Sequence, residues 1–364
     1  MRLKVAVAGL GVIAQTVHLP LLERRGDLFE VVALCDLSAS LTARLADRYG
    51  AARRYTDVTE MLDAGGFDAV LVLTSGSHGR VVVDALRRGY AVLCEKPLAY
   101  TRAEAAEIAA IEDPDRPRLM VGYMKQYDPA VQRVAGRQVD LRAVQVTVLH
   151  PSDQAQLAFA RLPEPPGDVP AEVIDRLRAQ DDELVRAAIG EATPEARGLY
   201  MTILNSICHD LSLLRLLAGG PAGVDHVATW PGAGGRSVEM SGELRAGGRY
   251  AVHWHYLGDY PAYRETVALH HATGSFEVVF PTPYLLGAAT RLTDVSADGQ
   301  LEFGDVTPSF ERELVAFHEM VTAGVPPLTG VPGALEDIVT AQQAVTRLLA
   351  NEGLTPTGES ATSM

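Results

Sequence analysis

The sequence predicts an α/β domain built on a parallel sheet, followed by an α+β domain whose sheet is antiparallel. Three observations carry that reading. Across roughly the first 125 residues, short apolar runs alternate with amphipathic helical stretches. That is the pattern of strands buried on both faces and joined by crossover helices. A glycine-rich turn follows the first apolar run directly. From about residue 223 to 304, strand patterns succeed one another, the earliest separated by glycine-rich turns, which is the mark of a meander.

The elements follow in order. Apolar runs at 3–8, 31–35, 69–73, 91–94 and 119–121 are expected as buried strands, with helices at 38–49 and 80–88 between them. After Tyr127 the character changes. A strand is expected at 141–149, then four more at 236–244, 249–257, 265–271 and 274–280. Two helices close the chain at 309–323 and 332–350, and the residues from Gly353 onward are expected to fray. The expected domains are therefore 1–125 and 126–350, with a flexible tail at 351–364. An insertion at about 151–199 interrupts the second domain. It begins with the proline-rich stretch LPEPPGDVP and continues as a helix over 171–189, with Pro170 suited to the first helical position. Ten acidic and five basic residues fall between Asp153 and Arg197, so the segment reads as a solvated surface helix. Its sharper reading is a lid or a subunit contact.

Composition narrows the function. Hydrophobic residues make up 47% of the 364, enough for a full core, and the formal net charge is -14. A chain this acidic is poorly suited to nucleic acid or an anionic membrane. It can still hold an anionic cofactor through backbone N–H groups. The three cysteines, Cys35, Cys94 and Cys208, are widely spaced. They form neither a disulfide framework nor a zinc pattern, so no metal site is expected and a reducing cytoplasm fits. The opening MRLKVAVAGLG runs into the glycine motif without a cleavage site, and no stretch approaches the roughly 18 apolar residues of a membrane span.

Gly9-Leu10-Gly11-Val12-Ile13-Ala14 is a G-x-G-x-x-A motif between an expected strand and an expected helix. Gly9 permits the tight turn, Gly11 lets a pyrophosphate approach the backbone, and Ala14 allows close helix–strand packing. Asp36 ends the second strand, 22 residues beyond Ala14. A carboxylate there bonds the ribose hydroxyls and repels a 2′-phosphate, which favours NAD over NADP. The first domain thus reads as a Rossmann domain.

Further motifs fall in series. They are GLGVIAQTVHLPLL with His18 and Pro20, LTSGSH with His78, Glu95-Lys96-Pro97, GYMKQYDPAV, CHDLSLLRLLAG and SFERELVAFHEMVTAG. Together they resemble the glucose–fructose oxidoreductase/inositol dehydrogenase/MocA family over nearly the whole chain apart from 151–199. The resemblance implies a Rossmann domain followed by an α+β domain with an open, mostly antiparallel sheet that commonly builds homo-oligomers, dimers or tetramers. It implies cofactor contacts at Val12, Ile13, Thr74, Ser75, His78, Glu95, Lys96 and Lys125, the last in place of a family arginine near the nicotinamide. A cis bond before Pro97 is also implied.

The resemblance nominates Lys96 and His209 as catalytic residues, and Lys96, Tyr123, Asn205 and His209 as substrate contacts. Lys96 lies just past the carboxyl end of a buried strand, where open α/β sheets bind ligands. A partly desolvated lysine there can accept an alcohol proton. Asn205, His209 and Ser212 are spaced i, i+4 and i+7 along an apolar helix, so they are expected to share one polar strip. The family commonly carries aspartates where this chain has Asn205 and Ser212, although Asp210 matches. An amide cannot accept a proton as a carboxylate can, so Lys96 is expected to act alone or with Tyr123, Tyr200 or water. Trp254, Tyr256, Tyr260 and Tyr263 read as sheet or interface packing, with a sugar pocket as the alternative. The expected function is NAD-dependent hydride transfer on a cyclitol, sugar or nucleotide-sugar-like small molecule. The rival readings are internal cofactor cycling during elimination, epimerisation or glycoside cleavage, and a non-catalytic dinucleotide sensor.

Overall fold

The computed structural model describes residues 2–137, 140–232 and 235–362. The chain divides into two compact units that interleave in sequence. The first gathers Met1–Tyr123, Leu162–Val185 and Glu313–Leu335, and the second Met124–Arg161, Arg186–Arg312 and Glu336–Met364. The linear split expected from the sequence therefore differs at two places, because part of the insertion and part of the closing helices group with the first unit.

In the first unit, β1 (Leu3–Ala8), β2 (Phe29–Cys35), β3 (Arg53–Tyr55), β4 (Ala69–Val72), β5 (Ala91–Cys94) and β6 (Leu119–Val121) form one sheet in the order β3-β2-β1-β4-β5-β6. Every pairing is parallel. The chain runs outward from β1 to β3, then crosses back to β4. The order reverses between β1 and β4, and a ligand crevice forms at such a reversal, outside the carboxyl ends of the strands. The apolar runs match these strands closely because β1, β4, β5 and β6 are almost wholly buried. β3 escapes hydrophobic periodicity: it is Arg-Arg-Tyr, three residues long and partly exposed at the sheet edge.

In the second unit, β7 (Leu141–His150), β8 (His226–Gly232), β9 (Gly235–Glu243), β10 (Arg249–Tyr256), β11 (Arg264–His271), β12 (Gly274–Phe280), β13 (Thr290–Ser296) and β14 (Gly299–Asp305) form a sheet in the order β14-β13-β12-β11-β7-β10-β9-β8. Only β7 and β10 pair in parallel; the other pairings are antiparallel. β7 enters between β10 and β11, which are neighbours in sequence. Val144, Val146 and Val148 alternate onto the buried face, and the helix bearing Cys208 lies on this unit's core, where Trp254 Nε1 donates to Ser206 Oγ at 2.9 Å.

The tail corrects an expectation. Over the described residues it is packed rather than frayed. Gly358–Thr362 forms a 3-10 turn, Ser360 is fully buried, and Gln342 Nε2 donates to Glu359 Oε2 at 2.8 Å. Sequence polarity hid this, because the turn is held by partners on another helix rather than by its own apolar residues. No helix among the described residues is long and apolar enough to cross a membrane.

Candidate cofactor and proton-transfer site

The glycine loop leaves the carboxyl end of β1. Gly9 has φ +91°, and a Cβ there would lie 2.5 Å from the Leu73 carbonyl carbon, so the turn after β1, packed against the end of β4, admits only glycine. Its N–H donates to the Cys35 carbonyl at 2.8 Å. At Gly11 the opposite holds: the residue is exposed, and a Cβ would meet nothing within 4 Å. The open space above Gly11 is the cradle a pyrophosphate needs at a helix start. Val12 and Ile13 border it, and Ala14 is fully buried against the sheet.

Asp36 stands at the end of β2, where its carboxylate braces the loop. Leu10 N–H donates to Oδ2 at 2.8 Å and Ser38 N–H to Oδ1 at 2.9 Å. Each oxygen keeps a second lone pair, which leaves Asp36 able to accept ribose hydroxyls as well. These residues fit a dinucleotide.

Thr74 and Ser75 lie on the loop after β4, Thr74 partly exposed and Ser75 exposed. His78 is the N-cap residue of the helix Gly79–Arg87. It is buried, with Nδ1 2.6 Å from the Pro97 carbonyl and Nε2 2.7 Å from the Thr74 carbonyl. Both ring nitrogens face the protein, so His78 brackets the β4 loop to the turn after β5. Lys96 opens that turn, half-buried, and the Lys96–Pro97 bond is cis. Glu95 beneath it is buried, with Oε1 2.9 Å from His18 Nε2, and its Oε2 accepts from the Lys96 backbone N–H at 3.3 Å. Burial alone would raise the Glu95 pKa. The His18 hydrogen bond and the charges of His18 and Lys96 outweigh it and hold the carboxyl below its ordinary value. Glu95 and His78 thus act as props for Lys96. Tyr123, just past β6, is almost fully buried.

The first unit therefore brings Gly9–Ala14, Asp36, Thr74, Ser75, His78, Glu95, Lys96 and Tyr123 to the carboxyl ends of one sheet. The hollow in this unit lined by Asp68, Ala91, Arg116, Arg118 and Met320 opens at the opposite, amino ends of the strands, so it is not this site.

The second unit holds Asn205, His209 and Lys125. Asn205 is exposed, His209 half-buried and Ser212 fully buried. Asn205 Nδ2 donates to the Met201 carbonyl at 2.9 Å and Ser212 Oγ to the His209 carbonyl at 2.7 Å. The three positions run from exposed to buried along the chain, and Ile203–Ile207 is a π turn. Lys125 is buried away from solvent and ion-paired with Glu265, with Asp210 Oδ1 at 3.8 Å. Tyr263 Oη also donates to Glu265. The charge of Lys125 thus faces these carboxylates. Burial and then the charge of Glu265 push the Asp210 carboxyl well up, against the pull of Lys125. The sequence reading missed this cluster. A signal existed: Glu265 occupies an inward position of β11, alternating with buried Val267 and Leu269. The cavity beside Lys125 and Tyr263 measures about 40 Å³, room for a few waters and not for a sugar ring.

Comparison with known proteins bears on this site. Residues 3–123 match the family model described as oxidoreductase family, NAD-binding Rossmann fold. An inositol 2-dehydrogenase from Salmonella paratyphi B is 33% identical over 131 residues, 35% of this chain and 39% of that protein. The chain spans between about two fifths and just over half of the length of the curated relatives it matches. Among solved structures, a 3-ketoreductase from Actinomadura kijaniata in complex with TDP-benzene and NADP superposes with a TM-score of 0.70 at 18% identity, covering 95% of this chain and 98% of that one. An oxidoreductase from Agrobacterium radiobacter in complex with NAD+, L-tartaric acid and magnesium gives 0.69 at 17% identity, with full coverage of both chains. At these identities the structural likeness speaks for the fold.

Proposed function

We propose that the chain is a member of the glucose–fructose oxidoreductase/inositol dehydrogenase/MocA family, whose model its residues 3–123 match, and an NAD-dependent oxidoreductase acting on a secondary alcohol or ketone of a cyclitol, sugar or nucleotide-sugar-like molecule. One observation carries the reading: the glycine cradle, Asp36 and Lys96 all emerge at the carboxyl ends of β1, β2 and β5 in a single sheet. Gly11 and the helix start after it would hold the pyrophosphate, and Asp36 the adenosine ribose. A bound nicotinamide supplies the hydride acceptor for alcohol oxidation or the donor for ketone reduction. Lys96 Nζ takes the hydroxyl proton in the first direction and returns it in the second. Glu95 and His78 position Lys96 through its backbone and the following turn. The inositol 2-dehydrogenase relatives support the choice of a cyclitol or sugar. Asn205 and His209 are assigned to substrate binding. The half-exposed face of the eight-stranded sheet, with Thr147, His253 and His255, is assigned to a homo-oligomer contact.

The test is a screen of cyclitols, sugars and nucleotide sugars with NAD, reading NADH formation, followed by Lys96→Ala. The variant is expected to keep NADH binding within about threefold and to lose at least ~100-fold in turnover. Unchanged turnover would overturn the assignment of Lys96.

A further inference from the structure

The insertion places a carboxylate on the start of the helix that follows Asp36. Asp168 belongs to the same compact unit as the glycine loop. Its Oδ1 accepts from Ser38 Oγ at 2.5 Å, and its Oδ2 accepts from Ser40 N–H at 2.9 Å and Ser40 Oγ at 2.8 Å. Ser38 is the N-cap of the helix Ala39–Tyr49. All three donors lie within four residues of Asp36, the side chain assigned to the adenosine ribose. A phosphate on the 2′-hydroxyl would project past Asp36 onto these residues, and it would seek the same kind of donors: hydroxyls and a backbone N–H at a helix start. Asp168 already takes them with two anionic oxygens.

The chain leading to Asp168 is built to hold it there. Pro163, Pro165 and Pro166 restrict the approach, and Gly167, at φ +71°, makes the turn. A second anchor lies downstream, where Ser77 N–H donates to Asp181 Oδ1 at 3.2 Å and the Asp181 carboxylate lies against Gly76. The strap therefore touches the loop after β2 and the loop after β4, both at the carboxyl ends of the sheet. From Leu162 to Val185 it carries seven acidic and two basic residues, so it adds negative charge around the site. The three hydrogen bonds hold the Asp168 carboxyl down at about 2, which keeps it anionic through the physiological range.

We propose that Asp168 is a cofactor-discriminating residue: an internal occupant of the 2′-phosphate position that, together with Asp36, excludes NADP(H) and leaves the unphosphorylated dinucleotide to bind. The proposal rests on the dinucleotide reading of the glycine loop and deepens it. It is independent of Lys96 and of the substrate.

The experiment measures calorimetric affinities of 5′-AMP and adenosine 2′,5′-bisphosphate for the full chain and for Asp168→Ala and Asp168→Asn. These fragments need neither nicotinamide chemistry nor a known substrate. The wild-type chain is expected to favour 5′-AMP. Asp168→Ala is expected to tighten the bisphosphate by about tenfold or more relative to 5′-AMP, with Asp168→Asn moving in the same direction. Asp168 is exposed, so both variants retain the fold, which circular dichroism checks. An unchanged ratio overturns the proposal, and so does an equal gain for both nucleotides, which would mean that the strap only blocks access. Binding of neither nucleotide by any form overturns the dinucleotide reading itself, and this proposal with it.

Discussion

Glu313 and Glu95 are two buried carboxyls of the first unit with opposite environments. Glu95 has His18; Glu313 is fully buried, and neither of its oxygens has a hydrogen-bond partner among the described residues. Burial, then the charge of Glu95, push the Glu313 carboxyl well above its ordinary value. A carboxyl whose folded value is raised binds a proton that the unfolded chain has released. Stability is therefore lost as pH rises from the unfolded value near 4.5 toward the folded one. Glu313→Gln removes that loss, so its denaturation midpoint should exceed the wild type's at pH 7 and the two should converge near pH 4. Glu95 has the reverse sign, with its stabilisation present above 4.5 and lost as pH falls through its lowered value. Lys125 is the third residue of this kind. Lys125→Met strands Glu265 and Asp210 without a cation, and urea denaturation should show a loss of about 3–5 kcal/mol. A neutral result would mean that both carboxyls are protonated in the native state. None of these environments was legible locally, since Lys125 and Glu265 are 140 positions apart.

At the scale of elements, hydrophobic periodicity located the buried strands and the long helices nearly to the residue. The expected helices 171–189 and 309–323 coincide with Ala171–Ile189 and Ser309–Ala323. It missed β3, β8, β13, β14 and the terminal turn, which are polar, edge-placed or dependent on distant partners. That turn yields a prediction. Ending the chain at residue 354 removes the buried Ser360 and the Gln342–Glu359 bond. The melting temperature should fall, corresponding to about 2 kcal/mol, whereas a frayed tail would leave it unchanged. The π turn at Ile203–Ile207 is a failure of a different kind. The helix was foreseen, but a 3.6-residue period cannot foresee a turn closed by i→i+5 bonds.

For the whole molecule, the net charge of -14 acts on every element at once. Self-repulsion of an acidic surface is screened by salt. Raising ionic strength from about 0.01 to 0.15 M should therefore raise the melting temperature; a fall would show that attractive pairs, such as Arg48 with Glu23, dominate. By itself the sequence determined the parallel sheet, the glycine turn, the acid that ends β2 and the lysine after β5. Each is encoded in contiguous residues whose periodicity and backbone preference act locally. Tertiary structure decided what those residues face. It turned His78 inward between two carbonyls, committed Lys125 to buried carboxylates, packed the tail, and brought Asp168 across 130 positions onto Ser38. Such pairings arise only when the chain closes on itself, because a hydrogen bond or ion pair is specified by both partners and a linear pattern displays one at a time.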